Sequence, residues 1–295
     1  LRRRPAVQQT VAQVEEISGL PLQRLMKTGP RRELQGTHAA QLAIFALSVG
    51  LLRAVTEETG YQPDAVCGHS LGQFSALVAA GVMDLDAGTQ LVNHRGLLMD
   101  RQNQRHDGAM LAVSGLATDV LASYLQDRDA AWLANDNAPG QLIVSGEKNS
   151  LDHLQTDLKA NGITCVALDV AGAYHSPLIG NAARAFADHI AATTFRDPVC
   201  PVIANTDATL LTTSEQVREE LARHMLAPVK WRETMLRVRD LGITRGIEIG
   251  AGRTMKGLWI RNHSDLQCLT SNDHRDLTST IKSLSKLTEA EAEPA

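Results

Sequence analysis

The stretch Asp64-Ala65-Val66-Cys67-Gly68-His69-Ser70-Leu71-Gly72-Gln73-Phe74-Ser75-Ala76-Leu77-Val78-Ala79-Ala80 decides how the chain folds. Residues 64–67 are short and apolar and read as a buried strand. Residues 72–80 carry apolar side chains at helical spacing, and Gly81 closes them as a helix. Between the two lies a G-x-S-x-G pattern, Gly68 to Gly72. Its glycines allow a sharp turn that pushes the Ser70 hydroxyl out of the fold. The helix that starts there brings the Leu71 N–H to where an oxyanion would develop. The letters alone occur by accident in roughly one chain in ten of this length. The strand-turn-helix setting is what makes Ser70 a candidate nucleophile.

Outward from this turn, helices are expected at 5–27, 38–58 and 85–100. The segment 109–171 has another rhythm: strands at Met110–Leu116, Ala131–Asn135, Gln141–Ser145 and Thr164–Val170, with helices at Thr118–Gln126 and Lys148–Asn161. That β-α-β-β-α-β order is ferredoxin-like. A helix at 177–193, a strand at Val199–Ala204, helices at 213–226 and 231–241 and a strand at Gly246–Ile249 follow. Strands alternating with helices outside the segment predict an α/β fold with a parallel sheet. The expected organisation is therefore a large α/β domain, 1–108 and 172–287, interrupted by a ferredoxin-like insert at 109–171. The acidic tail 288–295 is expected to be disordered.

Of the 295 residues 43% are hydrophobic and 21% charged, with a net charge of −4, so the basic footprint of a nucleic-acid binder is missing. The apolar run Ala39–Val55 contains Gln41, Ser48 and Arg53 and is short for a bilayer, which predicts a buried helix and no membrane association. Cys67, Cys165, Cys200 and Cys268 form no CxxC pair and no zinc spacing, the usage of reduced thiols in a cytoplasmic protein.

A serine nucleophile needs a base, and ten histidines compete. Most sit in ordinary helical, loop or tail positions. His69 adjoins Ser70, but neighbouring side chains diverge. His175 lies in Ala171-Gly172-Ala173-Tyr174-His175-Ser176-Pro177, a loop of small residues between a strand and a helix, where α/β sheets build their sites.

Six ordered motifs then resemble one family, the malonyl-CoA:acyl carrier protein transacylases. They are Gly68–Gly72, Arg95-Gly-Leu-Leu-Met99, Asn135-Asp-Asn-Ala-Pro with Ile143–Gly146, Ala173–Ser176, Ala227–Trp231 and Glu248–Gly252. The resemblance spans about Leu20 to Arg261 and implies an α/β-hydrolase-like domain with a ferredoxin-like insert. It implies a Ser70 acyl-enzyme, His175 as general base and acid, Leu71 as oxyanion donor, and Arg95 gripping the substrate carboxylate. A planar guanidinium matches a carboxylate fork. Tyr174 would border the acyl pocket. His224 stands where the family usually carries Gln or Asn, and its ring is expected close to that of His175. The implied partners are malonyl-CoA and an acyl carrier protein, acting on a monomer with no cofactor beyond the coenzyme A thioester. The malonate decarboxylase subunit, a carrier-protein-editing hydrolase or esterase, and a non-catalytic scaffold are the alternatives. The family also opens with a strand and a Pro-Gly-Gln-Gly-Ser-Gln-like loop that supplies a second oxyanion donor, and this sequence starts after it. An apolar groove beside 64–67 and a single donor over Ser70 are expected.

Overall fold

A computed structural model of the chain describes residues 4–292. It begins with helices α1 (Pro5–Ser18), α2 (Leu22–Thr28), α3 (Arg31–Gln35) and α4 (Thr37–Thr59). The single helix expected over 5–27 is broken at Gly19, which ends α1 in the left-handed conformation (φ 67°) that glycine takes without strain. Helix α4 runs through the main core, burying Leu42, Phe45, Ala46, Val49 and Leu51. Helix α1 lies close against it: a Cβ on Gly50 would stand 2.9 Å from the Val7 Cα. By length and composition α4 could cross a membrane, yet 67% of its most apolar window is buried inside the protein. After the serine turn come α5 (Gly72–Ala79) and α6 (Leu85–Asn103), and α6 packs along α4.

The next segment holds β1 (Gly108–Ser114), α7 (Thr118–Gln126), β2 (Ala131–Ala138), β3 (Gln141–Glu147), α8 (Lys148–Ala160) and β4 (Thr164–Ala167). Its sheet has the order β2-β3-β1-β4, every pair antiparallel. Leu111, Val113, Leu142 and Val144 meet Leu121, Leu151, Leu154 and Leu158 in a core separate from that of α4. Each such leucine contributes about 1.5–3 kcal/mol on burial. Strand β2 runs past Asn135, where the expected strand ends, and its pairing shifts register at Leu133/Asn135 and Asp136/Ala138. Bulges of this kind re-aim side chains.

A 3₁₀ turn at Pro177–Ile179 leads into α9 (Gly180–Ala192), β5 (Val202–Ile203), β6 (Leu210–Leu211), α10 (Ser214–His224), α11 (Trp231–Asp240), β7 (Arg245–Glu248), α12 (Thr254–Asn262), β8 (Gln267–Thr270) and α13 (His274–Ala292). The parallel sheet is far shorter than expected. Residues 64–67 form no regular strand: Val66 alone bridges Val202 in parallel, Asp64 is exposed and Ala65 to Cys67 are half-buried. The strand expected over 199–204 shrinks to β5. The other parallel pair is β7 with β8. Among the described residues Val66 and β7 do not pair with each other. An apolar groove of about 430 Å³ lies beside them, lined by Leu52, Val66, Cys67, Ile247, Ile249 and Trp259 among others.

Two further corrections concern the C-terminal region. Helix α12 and strand β8 follow Ile249, where the sequence predicted no element. The tail expected to be disordered from 288 is helical to Ala292, because α13 buries Leu277 and Leu284 on one face and continues into Glu and Ala, both good helix formers. Residues 293–295 of that tail lie outside the described residues.

Candidate active site

Ser70 sits in the turn with φ 49°, a left-handed conformation that costs a non-glycine residue about 1–3 kcal/mol. The turn is tight enough that a Cβ on Gly68 would fall 2.1 Å from the Gly72 carbonyl carbon. The Ser70 N–H donates to Asn205 Oδ1 at 2.7 Å, so it is not free for a substrate. The Leu71 N–H takes part in none of the turn's backbone hydrogen bonds, whereas the Gly72 and Gln73 amides donate to the His69 and Ser70 carbonyls.

His175 is buried, and its Nε2 lies 2.8 Å from Ser70 Oγ. Its Nδ1 lies 3.0 Å from the Ala227 carbonyl, which only accepts; Nδ1 therefore carries the ring proton and Nε2 is free to take one from Ser70. His175 also has a left-handed backbone (φ 55°), in a loop braced by the Ser176 hydroxyl donating to the Ala173 carbonyl at 2.7 Å. Burial first, then the charge of Arg95 and the nearby His69, push its pKa down to about 3. The base is neutral and ready.

Arg95, on α6, is 2% exposed. Its Nη2 donates to Ser70 Oγ at 3.0 Å and its Nη1 to Gln41 Oε1. Its guanidinium lies 5.7 Å from the centre of the Phe74 ring. Burial lowers its pKa to about 10, so it stays charged at neutral pH. Among the described residues no carboxylate pairs with it, and its Nε has no partner.

The structure also brings His224 to this place. It ends α10, is fully buried, and its ring centre lies 6.0 Å from that of His175 and 5.6 Å from that of Phe74. No hydrogen bond joins the two imidazoles, since the Ala227 carbonyl already occupies His175 Nδ1. Burial, then Arg95 and His175, hold the His224 pKa well below the usual value, with the Ser70 backbone acting weakly the other way. Tyr174 is half-buried. Its hydroxyl lies 2.9 Å from Thr37 Oγ1 and accepts from Asn103 Nδ2 at 2.9 Å. His69 turns away, to Asn137 Oδ1 at 2.8 Å and towards the Trp231 ring. Sequence reasoning missed Gln41, Asn205 and the Ala227 carbonyl. Gln41 was a polar interruption in an apolar helix, and Asn205 directly follows a strand end; both were usable signals.

A serine, a neutral histidine aligned on its hydroxyl and a buried guanidinium beside it can form and break an ester on Ser70. Residues 2–276 match the family model of the acyl transferase domain. The chain belongs to the acyl transferase domain family.

Several relatives carry one activity in their names. The malonyl CoA-acyl carrier protein transacylase of Synechocystis is 33% identical over 267 residues, 90% of this chain and 89% of the relative. That of Escherichia coli K12 is 30% identical over 94% of this chain and 91% of its own. Among solved structures, the transacylase FabD of Coxiella burnetii superposes with a TM-score of 0.91 at 28% identity, covering 96% of this chain and 91% of FabD. A malonyl-transacylase, PlMCAT, solved in complex with the type II polyketide acyl-carrier protein AntF, reaches 0.90 at 33% identity, covering 95% and 92%.

This acyl transferase holds three neutral histidines, the buried His175 and His224 and the half-buried His69, each with a pKa lowered chiefly by desolvation. The unfolded chain protonates them near pH 6.5, so the stability they hold is complete above that pH and is lost as pH falls towards the lower folded values. Each contributes a slope of up to about 1.4 kcal/mol per pH unit. In urea titrations at pH 7 and pH 5, His224→Gln should lose less stability on acidification than the wild type. Identical pH dependence in the two proteins would contradict this.

Proposed function

We propose that this acyl transferase moves a malonyl group from coenzyme A to the phosphopantetheine thiol of an acyl carrier protein, through a Ser70 ester. The observation that carries the reading is Arg95: a buried guanidinium with no carboxylate partner among the described residues, 3.0 Å from Ser70 Oγ. An uncompensated buried charge is costly unless an incoming group neutralises it. The free carboxylate of a malonyl thioester does that, and a neutral acyl group does not.

In the first half-reaction Ser70 Oγ bonds to the thioester carbon while its proton passes to His175 Nε2. The carbonyl oxygen becomes the oxyanion facing the Leu71 N–H. Collapse breaks the C–S bond, and His175 returns its proton to the departing coenzyme A sulfur. The carrier protein's thiol then gives its proton to His175 Nε2 and attacks the ester carbon, and His175 passes that proton to Ser70 Oγ as the Oγ–C bond breaks. Arg95 changes partners along the way: its two Nη groups, held by Ser70 and Gln41 in the free enzyme, turn to the carboxylate as a fork. Tyr174, tied down by Thr37 and Asn103, walls the acyl pocket and limits branching, and His224 backs His175 as a neutral ring. No cofactor takes part. The same reading includes a cytoplasmic location, an α/β-hydrolase-like body at 1–108 and 172–287, and a ferredoxin-like insert at 109–171. The β2-β3-β1-β4 order and the insert's own core support the last of these.

Mass spectrometry of the intact protein mixed with malonyl-, methylmalonyl- and acetyl-CoA tests the proposal. A malonyl ester should form on Ser70 and discharge onto added carrier protein. Acetyl-CoA should load at least ~10-fold more slowly, the cost of leaving the guanidinium unpaired. An ester that discharges to water as fast as to the carrier would make the protein a hydrolase instead.

A further inference from the structure

We infer that Asn205 is a positioning residue that clamps the nucleophile turn, and that the buried carboxylate of Glu220 fixes Asn205 in place. The inference rests on Ser70 being the nucleophile. Asn205 is 1% exposed and lies two residues beyond the end of β5. Its side chain grips the turn at three points. Oδ1 accepts the Ser70 N–H at 2.7 Å, and Nδ2 donates to the Gly68 carbonyl and to Gln73 Oε1, both at 2.7 Å. One planar amide thus holds the residues on either side of the serine as well as the serine itself.

The backbone of Asn205 is held in turn. Its N–H donates to Glu220 Oε1 at 2.9 Å, and the Thr206 N–H and hydroxyl donate to the same carboxylate at 3.2 and 2.5 Å. Glu220 is fully buried on α10, with the Arg223 guanidinium 3.5 Å away. The Asn205 carbonyl accepts from the Lys230 N–H at 2.8 Å, in the segment whose Ala227 carbonyl orients His175. Nucleophile and base are therefore referenced to one residue.

Ser70 needs such a clamp because its left-handed backbone is not a relaxed state. A Ser70 N–H without an acceptor lets the turn relax towards an ordinary φ, which shifts Oγ relative to His175 Nε2. A displacement of about 1 Å at a reacting atom lowers rate on the order of 10²-fold without touching substrate affinity.

The test measures the rate at which a fluorophosphonate probe labels Ser70, a reaction that needs no acyl donor, alongside the rate and half-saturation of acylation by malonyl-CoA. Asn205→Ala should slow labelling and acylation about 10²-fold while half-saturation stays within about threefold. Asn205→Asp keeps an oxygen for the Ser70 N–H. Gln73, whose Nε2 has no partner, can turn its amide to meet the new carboxylate. This variant should recover at least tenfold of the loss. Gln73→Met removes one of the two acceptors of Nδ2 and decides the matter if Asn205→Ala does not fold; it should slow labelling several-fold. Labelling at the wild-type rate in Asn205→Ala or in Gln73→Met would overturn the inference. So would an aspartate variant as slow as the alanine one, or a loss confined to half-saturation. If the probe labels the wild type and malonyl-CoA does not, the acyl donor is wrong and the clamp is still decided by the probe.

Discussion

Ser70→Ala is expected to form no acyl-enzyme and to lose transfer by at least ~10⁴-fold, and His175→Ala by a similar factor, because nucleophile and base act as one unit. The geometry behind this is the 2.8 Å contact between Ser70 Oγ and His175 Nε2, with Nδ1 committed to a carbonyl. Removing either partner leaves nothing else placed to attack: His69 points to Asn137, and the His224 ring is packed against Phe74. The double variant should be no slower than the worse single one. Ester formation followed by intact mass and by transfer to a carrier protein checks both statements. Full transfer by Ser70→Ala would remove the serine from the chemistry.

The second large effect concerns the choice of donor. Arg95→Ala should lower kcat/KM for malonyl-CoA on the order of 10²–10³-fold, the usual consequence of taking away one member of a desolvated charge pair. Acetyl-CoA should be used as well as before or better, since a buried cation with no counter-ion has gone. Arg95→Lys should rescue little, because an ammonium cannot reproduce the fork that reaches Ser70 and Gln41 together. Steady-state kinetics with both donors separates the cases. An equal fall for both would mean that Arg95 supports the fold around α6, not the carboxylate.

The candidate site was legible in the sequence wherever a local pattern sets which residues can stand there. The serine turn is one such place, because only glycine fits at position 68. The histidine loop is another, because small residues must let the chain turn at Ala173 and His175. Helix α7 falls at the residues its spacing predicts, and the antiparallel segment around it is close to expectation, since strands joined by short turns find their partners nearby. The parallel elements were the least legible. Val66, β5, β7 and β8 are far apart in sequence, and what they pair with depends on the whole fold. Asn205 and Gln41 carried local signals, but what they bind was hidden for a related reason: the chain brings Ser70 and Arg95 to them from more than fifty positions away.

The segment from Ala227 to Trp231 joins the base to the antiparallel sheet. Ala227 holds the ring of His175, while Val229 bridges Asn135 in parallel and exchanges backbone hydrogen bonds with Ala134 and Asp136 of β2. Ser70 sits on the turn that opens α5, which packs against α4 in the main core. The strut that aims the base is thus anchored twice, to the antiparallel sheet through Val229 and, through the Lys230 N–H, to the Asn205 carbonyl of the residue that grips the nucleophile turn.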